Sequence, residues 1–206
     1  MDTLARDLNE LITSLDLHDV TLLGWSMGAG VILHYVSLYG CAALRQIVLC
    51  DMSPRQMNDT DWSLGLFQGK VTKEFVKKVD GKGFYDLYKV FAIGAVPKLA
   101  RLPDVLLRVL LRRKLAECDE NAAASLARSM QEADYRPCVE QISVPVHYFF
   151  AVPGTLFSPE LADWYRDHIH APFHSAGFPH STHMLIGEHP RQFSEAVIRA
   201  LGEASN

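Results

Sequence analysis

Val20-Thr21-Leu22-Leu23 is a short apolar run ending at Gly24, and a mostly apolar, helix-compatible stretch follows from Met27 to Tyr39. Gly40 supplies a stop for that helix, and Ile47-Val48-Leu49-Cys50 forms a second apolar run, closed by Asp51 and Pro54. Strand, helix and strand within about thirty residues make a βαβ unit, because parallel neighbours need a crossover of a dozen residues or more. Neither run alternates apolar with polar, so both faces of each strand must meet apolar cover. The chain is thereby restricted to an α/β fold with a mostly parallel central sheet and flanking helices.

The rest of the chain divides around that unit. Leu4, Leu8, Leu11, Ile12 and Leu15 mark one stripe of an amphipathic helix ahead of the first strand. Phe75-Val76-Val79, Phe84-Leu87-Tyr88-Phe91 and Val105-Leu106-Val109-Leu110 follow helical spacing, and no strand run interrupts residues 55–137. Strand character returns at Val144–Val152 and near Phe173, with helices over Pro159–His168 and Pro190–Leu201. The 206 residues therefore suit one α/β core, 1–54 with 138–206, carrying an all-helical insertion at 55–137. There is no internal repeat and no low-complexity tract.

Lys and Arg number 20 against 24 Asp and Glu, an acidic balance that argues against a nucleic-acid partner. No apolar run reaches the roughly 18 residues of a membrane span, and Met1-Asp2-Thr3 opens no signal peptide. Cys41, Cys50, Cys118 and Cys138 share no CxxC spacing and read as reduced, buried thiols, which points to the cytoplasm.

Gly24-Trp25-Ser26-Met27-Gly28 is a G-x-S-x-G between a strand and a helix, the placement of a nucleophile elbow. The turn is sharp, so small residues are expected two positions either side of Ser26, and Gly30 suits close helix packing. The start of the helix sets the Met27 amide beside the hydroxyl, where it can stabilise an oxyanion. Trp25, next to the serine, is placed to touch substrate. A serine at this point could instead merely cap the helix.

A serine hydroxyl needs a base. Of nine histidines, seven lie at or beyond His147. His183, between the last strand and the last helix, is best placed, with His180 and His189 as neighbours. His168, His170, His174 and His180 show no recognisable metal-ligand spacing, so no metal is expected. The imidazole in turn needs a carboxylate. Pro153-Gly154-Thr155-Leu156-Phe157-Ser158-Pro159, after the third strand, contains none. Asp51, at the end of the strand beside the elbow, is the favoured acid, although Asp also caps turns of the kind Ser53 and Pro54 suggest. Glu160 and Asp163 are the alternatives.

From Gly24–Gly28 through Ile47–Arg55 to His183, Glu188-His189-Pro190 and Phe193, the chain resembles the α/β-hydrolase fold, and most closely its small bacterial esterases, lactonases and cofactor-free chloroperoxidase-like members. That resemblance implies a Ser26–His183–Asp51 triad, an acyl-enzyme, a small-molecule acyl substrate and no cofactor. Most such proteins carry the acid after the penultimate strand, and a minority carry it where Asp51 stands. The resemblance also implies strands ahead of the elbow and a His-Gly loop giving a second oxyanion N–H. Only one helix precedes the elbow strand here, so the chain looks like a member without its N-terminal strands. A partner segment or a second chain would then complete the sheet.

The expected reaction is hydrolysis of carboxylic esters or lactones. A cofactor-free haloperoxidase or perhydrolase, an acyltransferase, and a truncated non-catalytic fragment or ligand sensor are the alternatives. Twelve of the twenty basic residues lie between Lys70 and Lys114, opposed there by Glu74, Asp80, Asp86 and Asp104. This marks either a solvated outer face on the insertion or a lid that draws anionic substrates or a membrane surface. Trp62, Phe67, Phe84, Tyr85, Tyr88 and Phe91 are expected at the seam between insertion and core, lining an apolar acyl or aromatic pocket.

Overall fold

A computed structural model describes residues 1–75 and 83–203. In chain order these form α1 (Asp2–Ser14), β1 (Val20–Trp25), α2 (Met27–Tyr39), β2 (Leu44–Cys50), α3 (Phe84–Ala95), a 3-10 turn (Pro97–Arg101), α4 (Asp104–Leu115), α5 (Glu120–Glu132), α6 (Arg136–Val139), β3 (Val146–Pro153), α7 (Leu161–His168), β4 (Phe173–Ser181), α8 (Leu185–Glu188) and α9 (Pro190–Glu203). Val76 and Val79, read above as helical, and Lys77, Lys78, Asp80 and Lys82 of the basic stretch lie outside the described residues.

The four strands form one sheet in the order β1-β2-β3-β4, and every pairing is parallel. The pleat sends alternate residues of β2 to opposite cores. Ile47 and Leu49 join Ile32, Leu33, Val36, Tyr148 and Tyr165, whereas Val48 and Cys50 meet Phe149, Phe178, Phe193 and Ala196. Helices α2 and α7 thus cover one face and α9 the other, which is why the strands are apolar without alternation. Gly40 ends α2 at φ 72°, a left-handed conformation that glycine adopts at little cost. Among the described residues β1 is hydrogen-bonded to a strand on one side only.

The insertion between β2 and β3 is not helical throughout, in contrast to the all-helical expectation. Residues 55–72 run as turns, bends and isolated bridges pairing Arg55 with Asp134 and Asp59 with Trp62. Among the described residues helix begins only at 73, because Asn58, Gly65 and Gly69 serve turns there. No helix among the described residues is long and apolar enough to cross a membrane.

Three other expectations are corrected or completed by the structure. Helix α1 turns Ala5, Leu8 and Ile12 inward while Leu11 and Leu15 are exposed, because small Ala5 lets α1 approach α2. Cys118 is exposed, lying just past the end of α4, although Cys41, Cys50 and Cys138 are buried. In α4 the buried residues are Leu107, Leu111 and Leu115, whereas Val105, Leu106, Val109 and Leu110 face outward.

Candidate active site

All four strands deliver residues at their C-terminal ends, the edge where open α/β sheets form sites. Ser26 follows β1 immediately and holds φ 53°, ψ −121°, a left-handed backbone that a non-glycine residue adopts only under constraint. The constraint is local. Ser26 N–H donates to the Cys50 carbonyl at 2.9 Å, and the Ser26 carbonyl accepts from Ala29 and Gly30 as α2 begins. The Ser26 side chain makes no capping bond to the helix. The hydroxyl is left for other partners.

The two glycines of the motif serve different ends. A Cβ on Gly24 would stand 2.5 Å from the Ala29 nitrogen and from the Gly28 carbonyl, so the turn admits no larger residue there. A Cβ on Gly28 would meet nothing within 4 Å. The expectation of a steric need on both sides of Ser26 therefore holds only for Gly24, because Gly28 faces the cavity described below. Gly30 brings α2 close to Met52, whose Cε would lie 3.2 Å from an added Cβ.

His183 Nε2 lies 2.8 Å from Ser26 Oγ, and His183 Nδ1 lies 2.7 Å from Asp51 Oδ2. Both His183 and Asp51 are about 1% exposed. Asp51 follows β2 directly at φ 45°, its N–H donating to Phe149 O, and its Oδ1 accepts the Ala151 N–H at 3.2 Å. Its carboxylate caps no turn; Ser53 Oγ performs that task, accepting from Arg55 N–H and donating to Arg55 O. Burial raises the Cys50 thiol, and the neighbouring Asp51 charge adds to that rise.

The rival residues are not brought to Ser26. Glu160 and Asp163 are exposed, and Asp163 pairs with Arg166. His180 is exposed, and His168 stacks on Trp164 at 4.1 Å. Among the described residues no three His, Cys, Asp or Glu side chains converge as metal ligands.

Several supporting groups escaped the sequence reading. Thr155 lies in the loop that offers no carboxylate, yet its Oγ1 accepts the His183 N–H at 3.0 Å. Glu188 accepts from Thr182 N–H and Oγ1, clamping the turn that carries His183. Phe91 and Phe157 set their edges against the imidazole. Trp25 lines the cavity, and its indole N–H also donates to the His183 carbonyl at 2.9 Å. Met27 N–H stands at the first position of α2, where no intrahelical acceptor reaches it.

Ser26, Met27, Trp25 and His183 open onto a cavity of about 530 Å3 between the sheet edge and helices α3 and α5. Phe67, Phe84, Tyr88 and Phe91 line it, and among the described residues no Asp, Glu, Lys or Arg does. Trp62 and Tyr85 do not line it. Trp62 still meets the core, packing edge-on against Trp164 of α7 beneath Arg136, whereas Tyr85 lies under Arg112 of the insertion itself.

A family model described as "Alpha/beta hydrolase family" matches residues 1–196. The non-heme chloroperoxidase CPO-A1 of Kitasatospora aureofaciens is 48% identical over 60 residues, 29% of this chain and 22% of that protein. A pimeloyl-[acyl-carrier protein] methyl ester esterase of Pseudoalteromonas atlantica is 22% identical over 197 residues, 91% of this chain and 72% of that one. The chain covers less than a quarter of the first two curated relatives it matches, at 22% and 17% of their lengths. Among solved structures, a bromoperoxidase from Bacillus anthracis superposes with a TM-score of 0.78 at 19% identity, over 98% of this chain and 74% of that one.

Proposed function

Because the chain belongs to the alpha/beta hydrolase family, we propose that it is a serine hydrolase cleaving carboxylic esters with an apolar acyl or aromatic group. The observation that carries this reading is the hydrogen-bonded line from Asp51 through His183 to Ser26, at 2.7 and 2.8 Å. Ser26 Oγ attacks the ester carbonyl as its proton passes to His183 Nε2. Asp51, holding Nδ1–H, orients the ring and stabilises the imidazolium. The oxyanion takes a hydrogen bond from Met27 N–H. Collapse of the tetrahedral species expels the alcohol, which takes the proton from His183. Water, deprotonated by His183, then cleaves the acyl-enzyme and returns Ser26. Residues 55–137 act as a cap over a core of 1–54 and 138–206, and the apolar wall that the described residues give the cavity favours uncharged acyl groups.

The experiment is Ser26→Ala, assayed on p-nitrophenyl butyrate and with a fluorophosphonate probe. Turnover and labelling should both vanish while the melting temperature holds. A variant that still turns over would remove Ser26 from the role. The 60-residue likeness to a chloroperoxidase favours a second reading, in which hydrogen peroxide replaces water at deacylation and releases a peracid. Peracid formation from acetate and peroxide, lost in Ser26→Ala, would establish it.

A further inference from the structure

Helix α4 carries more apolar surface than its place in the fold uses. Its twelve residues include seven Leu and Val, of which Leu107, Leu111 and Leu115 are buried and anchor it to the insertion. On the opposite side Val105 is 73% exposed, Leu106 57%, Val109 63% and Leu110 42%. These four form one stripe along the outer surface, since positions three and four apart share a helix face. A contiguous apolar patch on a helix otherwise held by its inner face marks an interaction surface.

The charges around the stripe say what covers it. Over residues 98–117 there are six cations, Lys98, Arg101, Arg108, Arg112, Arg113 and Lys114, against the carboxylates of Asp104 and Glu117. Asp104 is engaged by Lys89 of α3 at 2.5 Å and by Arg108 at 3.8 Å, and Glu117 by Lys114 at 3.1 Å. Among the described residues Arg101 and Arg113 have no acidic partner. A chain of net charge −4 thus concentrates positive charge around an exposed apolar stripe. A second copy docking through the same face would set cations against cations, so self-association opposes the charge pattern. None of the four stripe residues lines the cavity beside Ser26. An anionic lipid surface meets both requirements, taking apolar side chains below its headgroups and cations at their level.

We propose that α4 docks this protein on anionic membrane surfaces, with Val105, Leu106, Val109 and Leu110 entering the interface and the flanking Arg and Lys side chains reaching the headgroups. Helix α3, which packs beside α4 through the Lys89–Asp104 contact, lines the cavity with its other residues. Docking therefore sets the cavity-bearing part of the insertion against the bilayer, where apolar molecules concentrate.

The test needs no turnover. Co-sedimentation is measured with vesicles of phosphatidylcholine alone and of equal parts phosphatidylcholine and phosphatidylglycerol. The protein should bind the anionic vesicles, bind the neutral ones far less, and release as salt rises. Leu106→Asp with Val109→Asp should weaken binding at least about tenfold. Arg112→Gln with Arg113→Gln should weaken it on anionic vesicles alone. Melting temperatures serve as the folding control, and Val109→Ser replaces the double variant should that one unfold. No binding to anionic vesicles, or binding indifferent to the apolar and arginine changes, overturns the proposal. So does light scattering that shows a dimer dissolved by Val109→Ser without any vesicle binding.

Discussion

Replacing Asp51 by Asn changes one atom and tests the proposed chemistry most directly. The wild-type carboxylate accepts on both sides, from His183 Nδ1 at 2.7 Å and from Ala151 N–H at 3.2 Å. An amide can accept on only one. If its oxygen stays with Ala151, its NH2 points at Nδ1, which must then accept, and the ring proton moves to Nε2. That nitrogen can no longer take the proton of Ser26, 2.8 Å away. If the amide is turned the other way, two N–H groups meet inside a site that is about 1% exposed. Either arrangement also removes the negative charge that stabilises the imidazolium. Substitutions of this kind lower kcat by about 10⁴, or some 5 kcal/mol of transition-state stabilisation at 1.36 kcal/mol per decade. The assay is steady-state hydrolysis of p-nitrophenyl butyrate, with circular dichroism to verify the fold. A folded Asp51→Asn protein within tenfold of the wild-type kcat would refute the reasoning, and Glu160 and Asp163 would be the next carboxylates to change.

Three further outcomes follow from the geometry. Gly24→Ala forces a Cβ to within 2.5 Å of backbone atoms and should cost about 3 kcal/mol by thermal unfolding, whereas Gly28→Ala leaves stability unchanged and raises KM for bulky esters. Thr155→Val strips the acceptor from the His183 N–H and should lower kcat/KM about tenfold without changing which esters are preferred, a result read from a substrate panel. Iodoacetamide at pH 8 should modify Cys118 alone in the native protein. Burial pushes the Cys138 thiol up to about 12 and Cys50 higher still, so a second adduct in the mass spectrum would contradict the packing.

What could be read from the residues was whatever rests on short spans. The elbow shows itself because strand, glycine, serine and helix lie within a few positions of one another. The juxtaposition of Asp51 and His183 with Ser26 could be anticipated because a parallel sheet gathers all its strand ends on one edge. Thr155 could not be found in this way, since its only signal is a hydroxyl that meets a backbone N–H 28 positions later in the chain. The loop that carries it holds no Asp or Glu, and a neutral hydroxyl there has no charge to set it apart from any other loop residue. The inward faces of α1 and α4 were also beyond periodicity alone. Each carries enough apolar residues for more than one stripe, and only the neighbour's shape chooses between them.

The bond from His183 to Ser26 spans 157 positions and that to Asp51 spans 132. No partial fold containing only the opening βαβ unit can hold the imidazole in line, because β3 must insert beside β2 before β4 delivers it. The proposed chemistry would therefore require the long-range contacts to β4 and be lost when the closing segment frays. In a denaturant titration, reactivity of the hydroxyl would fade ahead of helix content, which makes a reactive probe a more sensitive monitor of native structure than any spectroscopic average.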